Sequence, residues 1–121
     1  MEFKSFKDLQ VWQKAKQVGL EVYKLTKELP KEELYGLTSQ MRRAAVSIPS
    51  NISEGHARKS TKEFINFLSI ALGSTAELET QLIFCVELGY LNQEQTKEAC
   101  QLLDEIGKMI RGLNKKLVSS L

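Results

Sequence analysis

Apolar residues recur along the chain at steps of three and four, which is the spacing of one face of an α-helix. Four such segments are present, at about 8–29, 34–57 (or 37–57), 61–88 and 92–117, and short polar breaks separate them. Short links force consecutive helices to run in opposite directions. The pattern therefore predicts an all-α fold, an antiparallel up-down-up-down four-helix bundle, and we expect residues 1–121 to form a single domain.

The ends of the predicted helices carry recognisable signals. Asp8 is predicted to cap the first helix, and Pro30 to end it, because the residue before a proline avoids the α region. Ser60 and Glu63 have the spacing of a capping box at the start of the third helix. Gly89 is predicted to end that helix in a left-handed conformation.

The second helix contains Pro49 near its middle. A proline there removes one backbone hydrogen bond and clashes with the carbonyl four residues back, so we expect a kink. Five polar residues share one face of this helix, at steps of three and four: Gln40, Arg43, Ser47, Asn51 and Glu54. This face is either a binding surface or a hydrogen-bonded network that supports the kink and ties the helix to its neighbours.

The third helix has more apolar residues than one buried face needs. Four of them lie off its core line: Ile65, Leu72, Ile83 and Val86. Val11, Val46 and Met109 have similar positions on the other helices. A helix that is apolar on two faces and has no central position in a bundle favours contact with another subunit, so these four are a candidate oligomer interface. The alternative is scattered exposed aliphatic side chains, which are common on protein surfaces.

Composition agrees with a helical protein and excludes several other classes. Two prolines and seven glycines in 121 residues are too few for a turn-rich all-β fold. The most apolar stretch, 82–91, is interrupted by Glu87 and is shorter than the roughly 20 residues that span a bilayer. The first residues lack the apolar run of a signal peptide, so we expect a cytoplasmic protein with no membrane partner. Cys85 and Cys100 are predicted to be small buried side chains in a reducing compartment, with an interhelical disulfide as the alternative.

The formal net charge of +2 hides an uneven distribution. Residues 42–62 are basic, whereas residues 63–107 are mostly acidic. The basic residues are candidate contacts for nucleic-acid phosphates: Arg42, Arg43, Arg58, Lys59 and Lys62, supported by Lys14 and Lys16. The alternative is solvated faces and interhelical ion pairs. No aromatic residue is interleaved with this cluster, so no stacking platform for bases is predicted.

Sites for catalysis, cofactors and metals are not predicted. His56 is the only histidine, and neither a Gly-rich phosphate loop nor a Cys-x-x-Cys pair occurs. A di-iron bundle needs Glu-x-x-His pairs, but Glu54 and His56 are two residues apart and face different sides. We therefore expect a protein that is not an enzyme and that has no metal and no cofactor.

Four blocks of the sequence, at 6–15, 35–55, 63–79 and 88–91, resemble the bacterial 23S rRNA intervening-sequence proteins, or S23 proteins. The second block is the most specific, and it has Ser53 where many relatives have alanine. The resemblance implies a four-helix bundle that assembles as a ring-like homopentamer and is often encoded within insertions in rRNA genes. A related branch, the accessory proteins of diversity-generating retroelements, forms similar pentamers that bind nucleic acid and the reverse transcriptase.

These observations lead to two functional predictions of different kinds. The first is a non-enzymatic bacterial homo-oligomer that binds RNA or DNA weakly through phosphate contacts. The second is a protein–protein interaction scaffold that binds no nucleic acid. A small-ligand site at the kink or at the oligomer axis is a third alternative.

Overall fold

The computed structural model describes residues 5–121, and within this range the chain is helical and contains no strand. Four α-helices follow one another, with single 3-10 turns at Phe6–Asp8 and Lys31–Glu33: α1 Gln10–Thr26, α2 Leu37–Ala57, α3 Thr61–Glu87 and α4 Gln93–Ser119. This confirms the predicted all-α, four-helix fold. The predicted domain also includes residues 1–4, which lie outside the described residues.

The core is aliphatic, and all four helices contribute to it. Its largest fully buried side chains include Val18, Val22, Met41, Ile48, Ile52, Leu68, Leu78, Leu82, Ile106 and Ile110. Val11 was expected to lie off the core, but it is only 5% exposed and belongs to this core. The buried face of α1 runs through Val11, Ala15 and Val18, whereas Trp12 is half-buried and packs edge-on against Phe6.

The first helix begins differently from the prediction. Asp8 does not cap it, because Asp8 lies in the preceding 3-10 turn and the N-cap residue Leu9 makes no side-chain capping bond. The helix ends at Thr26, and the hydrogen bonds from Glu28 to Leu25 and from Leu29 to Thr26 continue the chain in tighter turns up to Pro30. The backbone of Pro30 is extended, and the helix does not continue through it.

Both predicted ends of α3 are observed. The Ser60 hydroxyl accepts a hydrogen bond from the Glu63 N–H at 3.1 Å, but the Glu63 carboxylate accepts from the Ser60 hydroxyl rather than from its backbone, so only half of the capping box forms. Gly89 has a φ of 80°. The Gly89 N–H donates to the carbonyl of Val86, and the Tyr90 N–H to that of Cys85, which is the Schellman arrangement.

A carboxylate that the sequence patterns did not reveal holds the start of α2. Gly36 provides no side-chain cap there, and the Glu33 carboxylate instead accepts from the Leu37 N–H at 3.0 Å and from the Tyr90 hydroxyl at 2.9 Å. The hydrogen bond to Glu33 is the largest cause of a raised pKa at Tyr90. Glu33 thus joins the α1–α2 link to the α3–α4 link.

Helices α2 and α3 run in opposite directions along a close contact. Met41 contacts Cys85, and Ser47 contacts Ser74. Residue numbers along this contact therefore increase on α2 as they decrease on α3. Helix α2 continues through Pro49 without a break. The bend there stays a prediction. The carbonyl of Ala45, which Pro49 deprives of its helical donor, faces Gly19 of α1, where a Cβ atom would lie 3.7 Å away.

Both cysteines carry free thiols, and no disulfide joins them. Cys85 is buried as predicted, and burial raises the pKa of its thiol to about 11. Cys100 is half-buried, and its pKa is also raised, chiefly by burial. Among the helices of residues 5–121, none combines the length and the apolar character needed to cross a bilayer.

Candidate functional site

A shallow groove runs along the outer face of α2 and is bordered by α1. We call it the α2 groove, and its walls are Tyr23, Leu34, Tyr35, Thr38, Ser39, Arg42, Arg43, Val46, Ser47, Ser50 and Asn51. Several of its apolar side chains are open to solvent, and Tyr35 is 93% exposed. The groove therefore combines exposed apolar surface with two of the predicted phosphate contacts.

The two neighbouring arginines of the groove have different environments. Arg42 donates from Nε to the Thr26 hydroxyl at 2.9 Å, and its guanidinium lies over the Tyr23 ring, 4.8 Å from the centroid. These contacts attach the Arg42 side chain to α1. Arg43 is exposed and has no salt-bridge partner among residues 5–121. Of the two, Arg43 is the one available to an external anion.

The basic residues at the α2–α3 link also differ in whether they are paired within the bundle. Arg58 pairs with Glu54, with Nη2 and Oε2 2.9 Å apart, and more loosely with Glu63, at 3.8 Å. Its guanidinium also lies over the Phe67 ring, 5.0 Å from the centroid. Lys59 and Lys62 are exposed, and no acidic group in the described part of the chain forms a salt bridge with them.

The two supporting lysines of α1 lie elsewhere. Lys14 forms a salt bridge to Glu105 of α4 at 3.0 Å, and Lys16 lies 5.5 Å from the centre of the Trp12 ring. The seven predicted contacts are thus spread over the α2 groove, the α2–α3 link and α1. Two of them, Lys14 and Arg58, are engaged in ion pairs within the bundle.

The polar face of α2 is partly used for internal hydrogen bonds. The Ser47 and Ser74 hydroxyls are 2.9 Å apart, and Asn51 donates from Nδ2 to the carbonyl and hydroxyl of Ser47, at 2.8 and 2.9 Å. These bonds tie α2 to α3 beside Pro49. Gln40 is exposed, like Arg43. The face therefore contains both an internal network and free polar groups.

The four residues of the candidate oligomer interface line the seam between α3 and α4. Ile65 and Leu72 share a cleft with Ile110 of α4, and Ile83 and Val86 share a groove with Cys100. Ile65, Leu72 and Val86 are half-buried, whereas Ile83 is 55% exposed. Much of this second stripe is therefore covered by α4.

A different exposed apolar face on α3 was missed by sequence reasoning. We call it the α3 ridge, and it consists of Ile70, Gly73, Glu77, Phe84 and Leu88, which follow one another at helical steps. Phe84 is 55% exposed, and Ile70 and Leu88 are similarly open. The helical spacing of these residues is visible in the sequence. The residues of the core and of the α3–α4 seam have the same spacing, so spacing alone does not identify the ridge.

An unpaired polar atom lies beside the ridge. Gln81 is only 6% exposed, and its Nε2 donates to Glu77 at 3.3 Å. Its Oε1 is buried, and no atom of residues 5–121 donates a hydrogen bond to it. A buried acceptor without a donor is unfavourable by about 1–3 kcal/mol.

His56, the one histidine of the sequence, contacts an aromatic ring of α3. The His56 ring is half-buried and packs edge-on against Phe64, with centroids 6.0 Å apart. Within residues 5–121, His, Cys, Asp and Glu side chains do not gather in groups that could hold a metal ion.

The fold and these surfaces define a small four-helix bundle with an unbroken proline-containing α2 and exposed apolar faces on α2 and α3. A family model described as 23S rRNA-intervening sequence protein matches residues 7–112. The chain belongs to this family.

The chain is also similar to a solved structure, a protein of unknown function from the S23 ribosomal protein family of Bacteroides thetaiotaomicron VPI-5482. The two are 29% identical, with a TM-score of 0.80, and the match covers 87% of this chain and 95% of that one. No curated protein matches the sequence.

Proposed function

We propose that the chain is a non-enzymatic bundle that self-associates and binds RNA or DNA through phosphate contacts. The observation that supports self-association best is the exposure of large apolar side chains on two faces, the α2 groove and the α3 ridge. Single exposed aliphatic residues are ordinary, but rows of them, with Tyr35 and Phe84 more than half exposed, are typical of interaction surfaces.

The proposed occupant of each face is a second copy of the chain. The groove carries the cation Arg43 and the ridge carries the anion Glu77, so the groove of one copy and the ridge of the next have complementary charge. Such a contact joins two different surfaces, and repeated copies close into a ring when the rotation allows it. A ring agrees with the homopentamer that the family resemblance implies.

The seam of Ile65, Leu72, Ile83 and Val86 remains a second proposed interface, which the variants in the Discussion distinguish from the ridge.

Nucleic-acid binding is supported by cations that the bundle does not neutralise itself. Lys59 and Lys62, which lie outside the α2 groove, have no salt-bridge partner among residues 5–121. Symmetric assembly multiplies such charges, and polyanions are attracted by the release of their counterions. The ion pairs of Lys14 and Arg58 favour the alternative, a protein–protein scaffold whose basic residues serve its own packing.

A salt titration tests the nucleic-acid part of the proposal. We expect the unmodified chain to bind a labelled RNA hairpin at micromolar concentration, with affinity falling about 20-fold or more between 50 and 200 mM salt, as expected when three or more phosphates are contacted. Fluorescence anisotropy measures both quantities. Absence of binding at low salt, or an affinity that salt does not change, would leave the scaffold as the better account.

A further inference from the structure

Two adjoining clefts form a strip along the seam where α3 begins and α4 ends. The clefts share Ile65 and Ser69 as walls. Lys62 lines one cleft and Arg111 lines the other, so these two cations border the same strip. Lys115 follows Arg111 by four residues and lies on the same face of α4. Cations from two helices therefore border one surface: Lys62 and Arg111 line its two clefts, and Lys115 lies one turn beyond Arg111.

Three acids lie near this strip: Glu63 lines the same cleft as Lys62, and Glu79 and Asp104 share a further cleft with Arg111. Asp104 pairs with Lys108 at 3.1 Å, and Glu63 bonds the Ser60 hydroxyl and contacts Arg58. In contrast, Lys62, Arg111 and Lys115 have no salt-bridge partner in the described part of the chain. All three residues are exposed.

The opposite end of the seam has the opposite charge. Around the α3–α4 link, Glu87, Glu94 and Glu98 are accompanied by one cation, Lys97. The α3–α4 pair therefore has a basic end and an acidic end, although the net charge of the chain is small. A polyanion approaching the bundle is attracted to the basic end and repelled from the other.

The clefts combine aliphatic side chains with hydrogen-bonding groups. Asn66 and Ser69 line the clefts on the α3 side, and Asn114 lines them on the α4 side. Amide and hydroxyl groups of this kind commonly bond phosphate and sugar oxygens in nucleic-acid complexes. None of the residues that line the two clefts is aromatic, so base stacking is not part of the arrangement.

We propose that the strip of Lys62, Arg111 and Lys115 is the site that holds the sugar-phosphate backbone of RNA or DNA, independently of sequence. Arg111 binds phosphate oxygens with its planar fork, and the two lysines act as point charges. This inference rests on the proposed nucleic-acid binding. It places the main phosphate contacts at the α3–α4 seam and not in the α2 groove. Arg111 and Lys115 were not among the residues predicted from the sequence pattern.

A triple variant tests this location. Lys62→Gln, Arg111→Gln and Lys115→Gln together remove three charges and keep polar side chains of comparable length. The variant is expected to bind the labelled RNA hairpin at least about tenfold more weakly at 50 mM salt, and to reduce the slope of log affinity against log salt by about 2–3. Circular dichroism checks that the fold is retained, which we expect because all three residues are exposed.

The matched control removes the same charge from the other end of the bundle. Lys24→Gln, Lys27→Gln and Lys31→Gln replace three exposed lysines near the α1–α2 link, and this variant is expected to bind within about twofold of the unmodified chain. Equal losses in both variants would contradict the location, since binding would then follow net charge alone. If the unmodified chain binds no RNA, the proposed function itself fails. Binding to phosphatidylglycerol vesicles but not to RNA would overturn nucleic acid as the ligand.

Discussion

Replacing Gly55 with alanine is expected to destabilise the bundle by about 3 kcal/mol, near the upper end of the range for overpacked cores. A Cβ atom at this position would lie 2.7 Å from Cβ of Phe67 and 2.9 Å from Cδ1 of Phe64. The first of these atoms is attached directly to the α3 backbone and cannot rotate away. The added methyl group must therefore push α2 and α3 apart along their close contact.

Urea unfolding followed by circular dichroism measures this effect. Gly112→Ala is the matched control, because Gly112 lies within α4 and a Cβ atom there meets nothing within 4 Å. That variant is expected to gain up to about 1 kcal/mol, since alanine is the better helix former. Equal stability of Gly55→Ala and the unmodified chain would show that α2 and α3 are not in the close contact described.

Replacing Phe84 with glutamate is expected to reduce the assembly to single chains of 13.7 kDa at micromolar concentration. Phe84 is the largest exposed apolar side chain of the α3 ridge, and the change places a carboxylate on the same face as Glu77, about two turns away, where the proposed contact is apolar. A charge that loses water without gaining a partner opposes association strongly. The mass is measured by native mass spectrometry.

The preceding residue provides the control for this experiment. Ile83 has the same exposure, 55%, but it lies on the α3–α4 seam and not on the ridge. Ile83→Glu is therefore expected to leave the assembly intact. Dissociation by Ile83→Glu alone would replace the ridge with the seam as the interface. It would also conflict with the phosphate strip, because Ile65 and Leu72 of that seam lie in its clefts.

Local chemistry explains which parts of the fold were predictable. The ends of α3 follow from residues close to one another in sequence, with Ser60 at the N-cap and Gly89 just after the C-cap. The start of α1 was predicted wrongly because Asp8 satisfies the same rule as a true cap, while the chain there makes a 3-10 turn first. Val11 and Trp12 are both apolar, and only packing decides which is buried.

The candidate site was less predictable because it depends on contacts between helices. The clustering of basic residues in 42–62 was visible, but the sequence does not distinguish Arg42, which is attached to Thr26, from Arg43, which is free of such contacts. The pair of Lys14 with Glu105 joins residues on the first and last helices. The cleft that Arg111 shares with Ile65 likewise needs the packing of α3 on α4.

Multi-angle light scattering of the unmodified chain measures self-association. We expect a molar mass that is a whole multiple of 13.7 kDa at micromolar concentration, and five copies if the ring has the size that the resemblance implies. A mass of 13.7 kDa under these conditions would contradict it, and the exposed groove and ridge would then be ordinary surface of a monomer.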